Sequence, residues 1–91
     1  MSVLVKIPAQ LRAAAGGESQ AEIDGATVKE VLDGLFDRFG ELRARLADDD
    51  GSLRRFVNVY VAGEDIRFLE GLATPVDDGA EVTILPAVAG G

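Results

Sequence analysis

The chain contains no cysteine and no histidine among its 91 residues. These absences exclude disulfides, thiolate nucleophiles and imidazole bases, together with the commonest ligands of zinc and haem. An independent enzyme would have few catalytic groups left, so we expect a protein that is not itself an enzyme. A chain of this length forms one domain and buries roughly 60% of its unfolded surface, which is enough for a single hydrophobic core.

Positive charge is also scarce, because nine basic residues face sixteen acidic ones and the net charge is −7. This balance repels phosphate backbones and anionic membrane surfaces, so we expect neither nucleic acid nor a membrane as a partner. No apolar run approaches the length of a membrane span, and residues 1–8 are too short and too strand-like for a signal peptide. We therefore expect a soluble, cytoplasmic protein.

The amino-terminal quarter of the chain has the pattern of a β-hairpin. Val3, Val5 and Ile7 alternate with the residues between them, and this period of two predicts a first strand ended by Pro8. The glycine pair at residues 16 and 17 favours a turn. Residues 18–23 then alternate weakly and predict a second strand.

The next segment has the pattern of a helix. Thr27 and Glu30 have the spacing of a capping box, which predicts a helix beginning there. Gly40 predicts a left-handed stop after the last turn, and Gly34 indicates close packing of the helix on the sheet. One further helical turn is predicted over residues 41–46. The apolar positions recur at i, i+3, i+4, i+7, i+8 and i+11, and they are Val28, Val31, Leu32, Leu35, Phe36 and Phe39.

Three successive carboxylates, residues 48–50, stand beside Gly51 and invite comparison with a calcium loop. A loop of the EF-hand kind has glycine at its sixth position and glutamate at its twelfth, where this chain has Leu53 and Val59. We interpret the segment as an exposed acidic turn and expect no metal site.

Residues 56–62 have the strongest strand character in the chain. The valines at 57, 59 and 61 are predicted to face the helix, which leaves Phe56, Asn58 and Tyr60 on the other face. Two aromatic rings on the outer face indicate either a partner-binding surface or the solvent-exposed apolar residues that are common on protein surfaces. Residues 66–68 are predicted to form a short strand, and residues 77–79 a tight turn.

The carboxyl-terminal segment combines a strand with a tail of small residues. Val82 and Ile84 are spaced as inward-facing strand residues, and Pro86 removes the backbone donor that a central strand would need next. The tail beyond it comprises Ala87, Val88, Ala89, Gly90 and Gly91. A Gly91 carboxylate with no Cβ beside it would let an enzyme close around it. Composition alone leaves open an ordinary disordered chain end.

The predicted order is strand, strand, helix, strand, short strand, strand. A hairpin, a crossing helix and later strands returning to the same sheet define an α+β protein with the helix packed on one face. We expect the last strand to lie centrally beside the first, which is the ubiquitin-like β-grasp topology with a mixed sheet of four to five strands. Residues 1–86 would form the domain and residues 87–91 a flexible reactive tail.

This topology and the ending of the chain resemble the ubiquitin-like sulfur-carrier family, which includes the molybdopterin synthase small subunit and the thiamine sulfur carrier. The resemblance covers essentially the whole chain and is carried by the turn at residues 78–82 and the ending at residues 85–91. Residues 55–61, 64–68 and 87–89 look most like the carrier that serves cysteine biosynthesis. Ala87 stands where molybdopterin synthase small subunits more often have a second proline.

The resemblance implies a carrier chemistry. An E1-like activating enzyme would adenylate the Gly91 carboxylate with ATP, and sulfide or a persulfide would displace AMP to leave a thiocarboxylate. In the cysteine branch this sulfur would attack an aminoacrylate held on pyridoxal phosphate in a partner cysteine synthase, and a peptidase would release cysteine. The chain itself would bind no cofactor.

The resemblance also implies roles for individual residues. Gly91 would react and Gly90 would give access, while Ala87, Val88 and Ala89 would thread the partner's channel. Phe56, Tyr60 and Leu85 are the candidates for a docking face. Two alternatives stay open, namely a molybdopterin synthase small subunit and a ubiquitin-like modifier or interaction module.

Overall fold

A computed structural model describes residues 2–50 and 52–86. Five strands and two α-helices follow one another along the chain. The strands are β1 (Ser2–Lys6), β2 (Gln20–Asp24), β3 (Val57–Val61), β4 (Glu64–Asp65) and β5 (Glu81–Pro86), and the α-helices are α1 (Val28–Arg38) and α2 (Gly40–Leu46). Three short 3₁₀ helices, Ala9–Ala15, Ile66–Phe68 and Gly71–Ala73, connect them.

The five strands form one mixed sheet in the order β2-β1-β5-β3-β4. The β1–β2 hairpin is antiparallel, as predicted, and β5 lies between β1, to which it is parallel, and β3, to which it is antiparallel. The central place of the last strand is therefore confirmed. With α1 and α2 covering one face, the molecule has the α+β architecture and ubiquitin-like β-grasp topology expected from the sequence.

Helix α1 begins where the capping residues predicted. The Thr27 hydroxyl accepts a hydrogen bond from the amide of Glu30 at 3.2 Å. The Glu30 carboxylate accepts from the amide of Ala26 at 3.1 Å, one residue earlier than a capping box requires. Gly34 packs closely on β2, as predicted, because a Cβ there would lie 2.8 Å from Cγ2 of Ile23.

A single hydrophobic core lies between the sheet and the helices. Its members alternate along the strands and recur at helical spacing along α1, as the sequence patterns predicted. The largest fully buried side chains, at no more than 2% exposure, are Ile7, Leu35, Leu42, Leu46, Ile84, Val3, Val5, Val28, Val31, Val59 and Val82.

Two local predictions were wrong. Gly40 is not a left-handed stop, because it begins α2, and Phe39 makes the bend between the helices with φ −127° and ψ 85°. The chain resumes a helix at once, which buries Leu42 and Leu46 in the core. Residues 66–68 form a 3₁₀ helix and not a strand, because the Asp65 carboxylate accepts from the amide of Arg67 at 2.9 Å and turns the chain.

Candidate functional site

The candidate site lies where the chain leaves β5. Val82 and Ile84 are 0% and 1% exposed, so the inward face of this strand is held in the core. The strand is paired with β1 over residues 81–83 and with β3 over residues 82–86. Pro86, its last residue, lies opposite Val57 of β3 and is positioned by that pairing.

The residues predicted to react or to thread a channel follow directly in the sequence. Ala87, Val88, Ala89, Gly90 and Gly91 lie outside the residues that the structure describes. Their roles remain predictions, and the structure gives only the position of Pro86, to which this segment is joined.

The three predicted docking residues lie in different settings near the outer face of the sheet. Tyr60 lies on β3 opposite Thr83 of β5, and Leu85 lies on β5 opposite Asn58. Leu85 is 45% exposed. Phe56 precedes β3 in a turn closed by the bond from the amide of Val57 to the carbonyl of Arg54 at 3.0 Å.

Cavities show how these three residues are separated. Phe56 lines one cavity at the end of the sheet, Leu85 lines a second beside Thr83, and Tyr60 lines a third with Phe68 near β4. The structure thus does not bring the three into one cavity. Their role as a docking face stays a prediction.

The cavity at Pro86 combines an apolar wall with arginine side chains. We call it the tail-base groove, and its volume is about 420 Å³. The apolar side chains come from the first 3₁₀ helix, from α2 and from the turn before β3. The lining residues are Gln10, Leu11, Ala44, Arg45, Leu46, Arg54, Phe56 and Pro86.

Sequence reasoning missed the arginines around this groove. Arg54 and Arg55 directly precede β3, and this basic pair in an otherwise acidic chain is the signal that could have found them. Arg54 is held by a bond from its Nη2 to the carbonyl of Ala44 at 3.1 Å. Its Nε is buried and meets no acceptor among the described residues.

The acidic turn has its own local structure. The carboxylate of Asp50 accepts hydrogen bonds from the Ser52 hydroxyl at 2.6 Å and from the Ser52 amide at 3.0 Å. Both bonds favour the charged form, with the hydroxyl bond the larger effect, so the pKa of this exposed carboxyl lies below its ordinary value. Within residues 2–50 and 52–86, no group of three or more acidic side chains is placed to hold a metal ion.

The helices carry no membrane-spanning segment in the part of the chain that the structure describes. None is both long and apolar enough to cross a bilayer.

Comparison with known proteins places the chain in a family. A sequence model of the ThiS family matches residues 5–91. The sulfur carrier protein CysO of Mycobacterium tuberculosis is 47% identical over 93 aligned positions, and the alignment covers 100% of both chains. The chain therefore belongs to the ThiS family of ubiquitin-like sulfur carriers, which confirms the resemblance inferred from the sequence.

Solved structures agree with this assignment. A chain in the crystal structure of the Amycolatopsis orientalis BexX/CysO complex superimposes with a TM-score of 0.88 at 50% identity, over 98% of this chain and 99% of that one. SAMP1 of Haloferax volcanii superimposes with a TM-score of 0.87 at 32% identity, over 100% of both chains. The β-grasp fold of this protein is thus shared with carriers and with an archaeal modifier.

Proposed function

We propose that the chain carries sulfur as a thiocarboxylate on Gly91 and donates it for cysteine biosynthesis. One observation supports this most directly: the central strand β5 ends at Pro86, five residues before Gly91, and is paired with β1 over residues 81–83 and with β3 over residues 82–86. Five extended residues reach about 17 Å. A rigid body would therefore present a narrow tail to the active site of another protein.

Activation makes the carboxylate reactive. An oxygen of the Gly91 carboxylate attacks the α-phosphorus of ATP on an E1-like adenylating enzyme, and pyrophosphate leaves. A sulfide sulfur then attacks the acyl carbon of the adenylate, the bond to the phosphate oxygen breaks, and AMP leaves with that electron pair. The resulting thiocarboxylate is a soft nucleophile. A chain without cysteine can therefore carry sulfur.

Transfer requires two further partners. The thiocarboxylate sulfur would add to the β-carbon of the aminoacrylate that a pyridoxal-phosphate cysteine synthase holds, so that the carbon–carbon π bond opens and the α-carbon takes up a proton. The amine of the product would then be released from that enzyme's cofactor. The acyl group then moves from sulfur to the neighbouring amine, which leaves cysteine joined to Gly91 by an amide bond. A peptidase hydrolyses that bond and releases cysteine. Every catalytic group belongs to the partners in this scheme, and the chain contributes a substrate.

The test compares a carboxyl-terminal truncation with a control variant, both assayed with the adenylating enzyme, ATP and sulfide. Removal of Gly90 and Gly91 should abolish ATP–pyrophosphate exchange, and the unfolding midpoint of the variant is measured alongside to show that the domain is still folded. Lys29→Gln, a change of an exposed residue on α1, keeps the chain length and serves as the control. Exchange that persists without the two glycines would contradict the proposal.

A second function is favoured by one comparison. SAMP1 of Haloferax volcanii bears the name of a modifier and shares the fold over its whole length. In that case the activated Gly91 would acylate a lysine amine and form an isopeptide bond. Tryptic peptides whose lysine carries residues 68–91, the stretch that follows the last tryptic site at Arg67, would support the modifier, and free thiocarboxylate would support the carrier.

A further inference from the structure

Basic side chains are concentrated at the end of the sheet where the chain leaves β5. Three cavities, one lined by Leu85, one by Pro86 and one by Arg54 and Arg55, have only cationic residues among their charged lining residues. Arg67 also lines the third cavity but pairs with Asp65 and is not counted below. We call the following five residues the basic collar: Lys6, Arg12, Arg45, Arg54 and Arg55. Nine basic residues occur in the whole chain, so more than half lie at this end.

The collar residues form no ion pair with the protein's own carboxylates in the described part of the chain. The ion pairs within residues 2–50 and 52–86 are Lys29–Asp33 and Arg67–Asp65, and neither includes a collar residue. Arg12 donates instead to the carbonyl of Ile7. The collar side chains therefore have no ion-pair partner to lose when an acidic partner approaches.

Acidic residues occupy the opposite end of β5. Glu81 begins that strand, and Asp77 and Asp78 form the turn before it. Six strand residues separate the two ends by roughly 20 Å, whereas charges are screened over about 8 to 10 Å in physiological salt. A surface that approaches Pro86 along β5 therefore meets the collar before the carboxylates of residues 77, 78 and 81. The acidic turn at residues 48–50 borders the collar on the side of Arg54, because Ala47 pairs with Leu53 and the Arg54 amide donates to the carbonyl of Leu46.

The groove inside the collar has an apolar wall. Phe56 is 42% exposed and lines it with Leu11, Leu46 and Pro86. The buried Nε of Arg54 has no acceptor in the described part of the chain, and an unsatisfied buried donor is uncommon. A partner segment with an apolar side chain flanked by carboxylates would therefore complement this site, since the apolar side chain would contact the groove wall and the carboxylates would pair with the arginines.

We propose that the collar and the tail-base groove form a docking surface for an acidic rim on the adenylating enzyme, at the mouth that receives residues 87–91. An apolar side chain of that rim fills the groove beside Phe56, and its flanking carboxylates pair with the collar arginines. Complementary charge orients the approach, so the tail enters the mouth end-on. The inference rests on the proposed function, because it concerns the enzyme that activates Gly91.

The test compares two triple variants of equal charge. The collar variant R12Q/R45Q/R55Q changes three exposed residues, and the control variant K29Q/R38Q/R43Q changes two exposed cations on α1 and one on α2 that lie outside the collar. Each removes three positive charges and changes the net charge from −7 to −10. ATP–pyrophosphate exchange by the adenylating enzyme is measured for both at low and high ionic strength, after their unfolding midpoints have been compared.

The collar variant should raise KM about tenfold at low ionic strength with little change in kcat, and the difference should shrink at high salt. The control variant should change KM less than about twofold. Equal shifts in the two variants would show that only net charge matters and would overturn the proposal. So would an unchanged KM in the collar variant.

Two other results are read separately. If removal of residues 87–91 from the isolated chain shifts the arginine Nε resonances of the collar, the groove holds the chain's own tail, and the docking proposal is wrong. If the wild-type chain supports no exchange at all, the proposed function fails, and the docking proposal fails with it.

Discussion

Two neighbouring residues of β5 should separate stability from partner binding. Ile84 is 1% exposed and belongs to the core, whereas Leu85 is 45% exposed on the other face of the sheet. Truncating a fully buried isoleucine to alanine costs about 2 to 5 kcal/mol, of which we expect roughly 3. Leu85→Ala removes a half-buried side chain and leaves no closed cavity, so we expect about 1 kcal/mol.

These values are large against the stability of the domain, which is about 5 to 14 kcal/mol for this length. With a urea m value of about 1 kcal/mol/M, Ile84→Ala should lower the midpoint by roughly 3 M and Leu85→Ala by about 1 M. In exchange assays with the adenylating enzyme, Leu85→Ala should raise KM about tenfold if its side chain docks.

Folded Ile84→Ala protein, assayed well below its own midpoint, should keep a KM near that of the wild type. The reasoning is refuted if Leu85→Ala lowers the midpoint as much as Ile84→Ala does. The docking role of Leu85 is refuted if its KM is unchanged.

Four further outcomes follow from single contacts. Gly34→Ala should lower the free energy of unfolding by about 1 kcal/mol, because overpacking against Cγ2 of Ile23 exceeds the gain in helix propensity. In an Ile23→Ala background the same substitution should raise the free energy of unfolding. Equal effects in both backgrounds would contradict the contact. Thr27→Ala should cost about 1 kcal/mol in denaturant unfolding, through the lost cap of α1. Phe68 is 87% exposed, so Phe68→Ser should leave the unfolding midpoint within about 0.5 kcal/mol of wild type, and a larger loss would show hidden packing. Because the pKa of Asp50 is lowered in the folded state, this carboxylate contributes to stability above its ordinary pKa of 3.8, and the contribution is lost as pH falls through the lower folded-state pKa. Asp50→Asn should therefore reduce the loss of stability with falling pH in this acid range, as measured by denaturant unfolding at several pH values.

The sheet and the main helix could be predicted because their side chains alternate or recur with one clear period. Val3 and Val5 on β1, and Val57 and Val59 on β3, follow the period of two that a sheet with one covered face imposes. The central place of β5 followed from the need to pair both of its edges. Most of the topology could therefore be predicted from the local periodicity of apolar residues and from the need of each strand to pair its backbone.

The errors arose where tertiary packing or a local side-chain bond decided the backbone. Gly40 carried a stop signal, but burial of Leu42 and Leu46 favours a second helix directly after Phe39. At residues 66–68 the apolar ends looked like a strand, and the Asp65 cap made a 3₁₀ helix. Neither effect is visible in the spacing of apolar residues.

The candidate site likewise has a part that was predicted from the sequence and a part that was not. Gly91 was proposed from the ending of the chain and the family resemblance, and it stays a prediction because it lies outside the described residues. The basic collar was missed because its residues come from β1, the first 3₁₀ helix, α2 and the turn before β3, which only folding brings around Pro86.

The most direct test of the central claim is the intact mass of the protein purified from its native cells, with fragmentation to locate any change. The account predicts that one oxygen of the Gly91 carboxylate is replaced by sulfur, or that a cysteine residue is joined to Gly91 by an amide bond. An unmodified Gly91 in cells starved of cysteine, or an isopeptide bond from Gly91 to lysine, would contradict it.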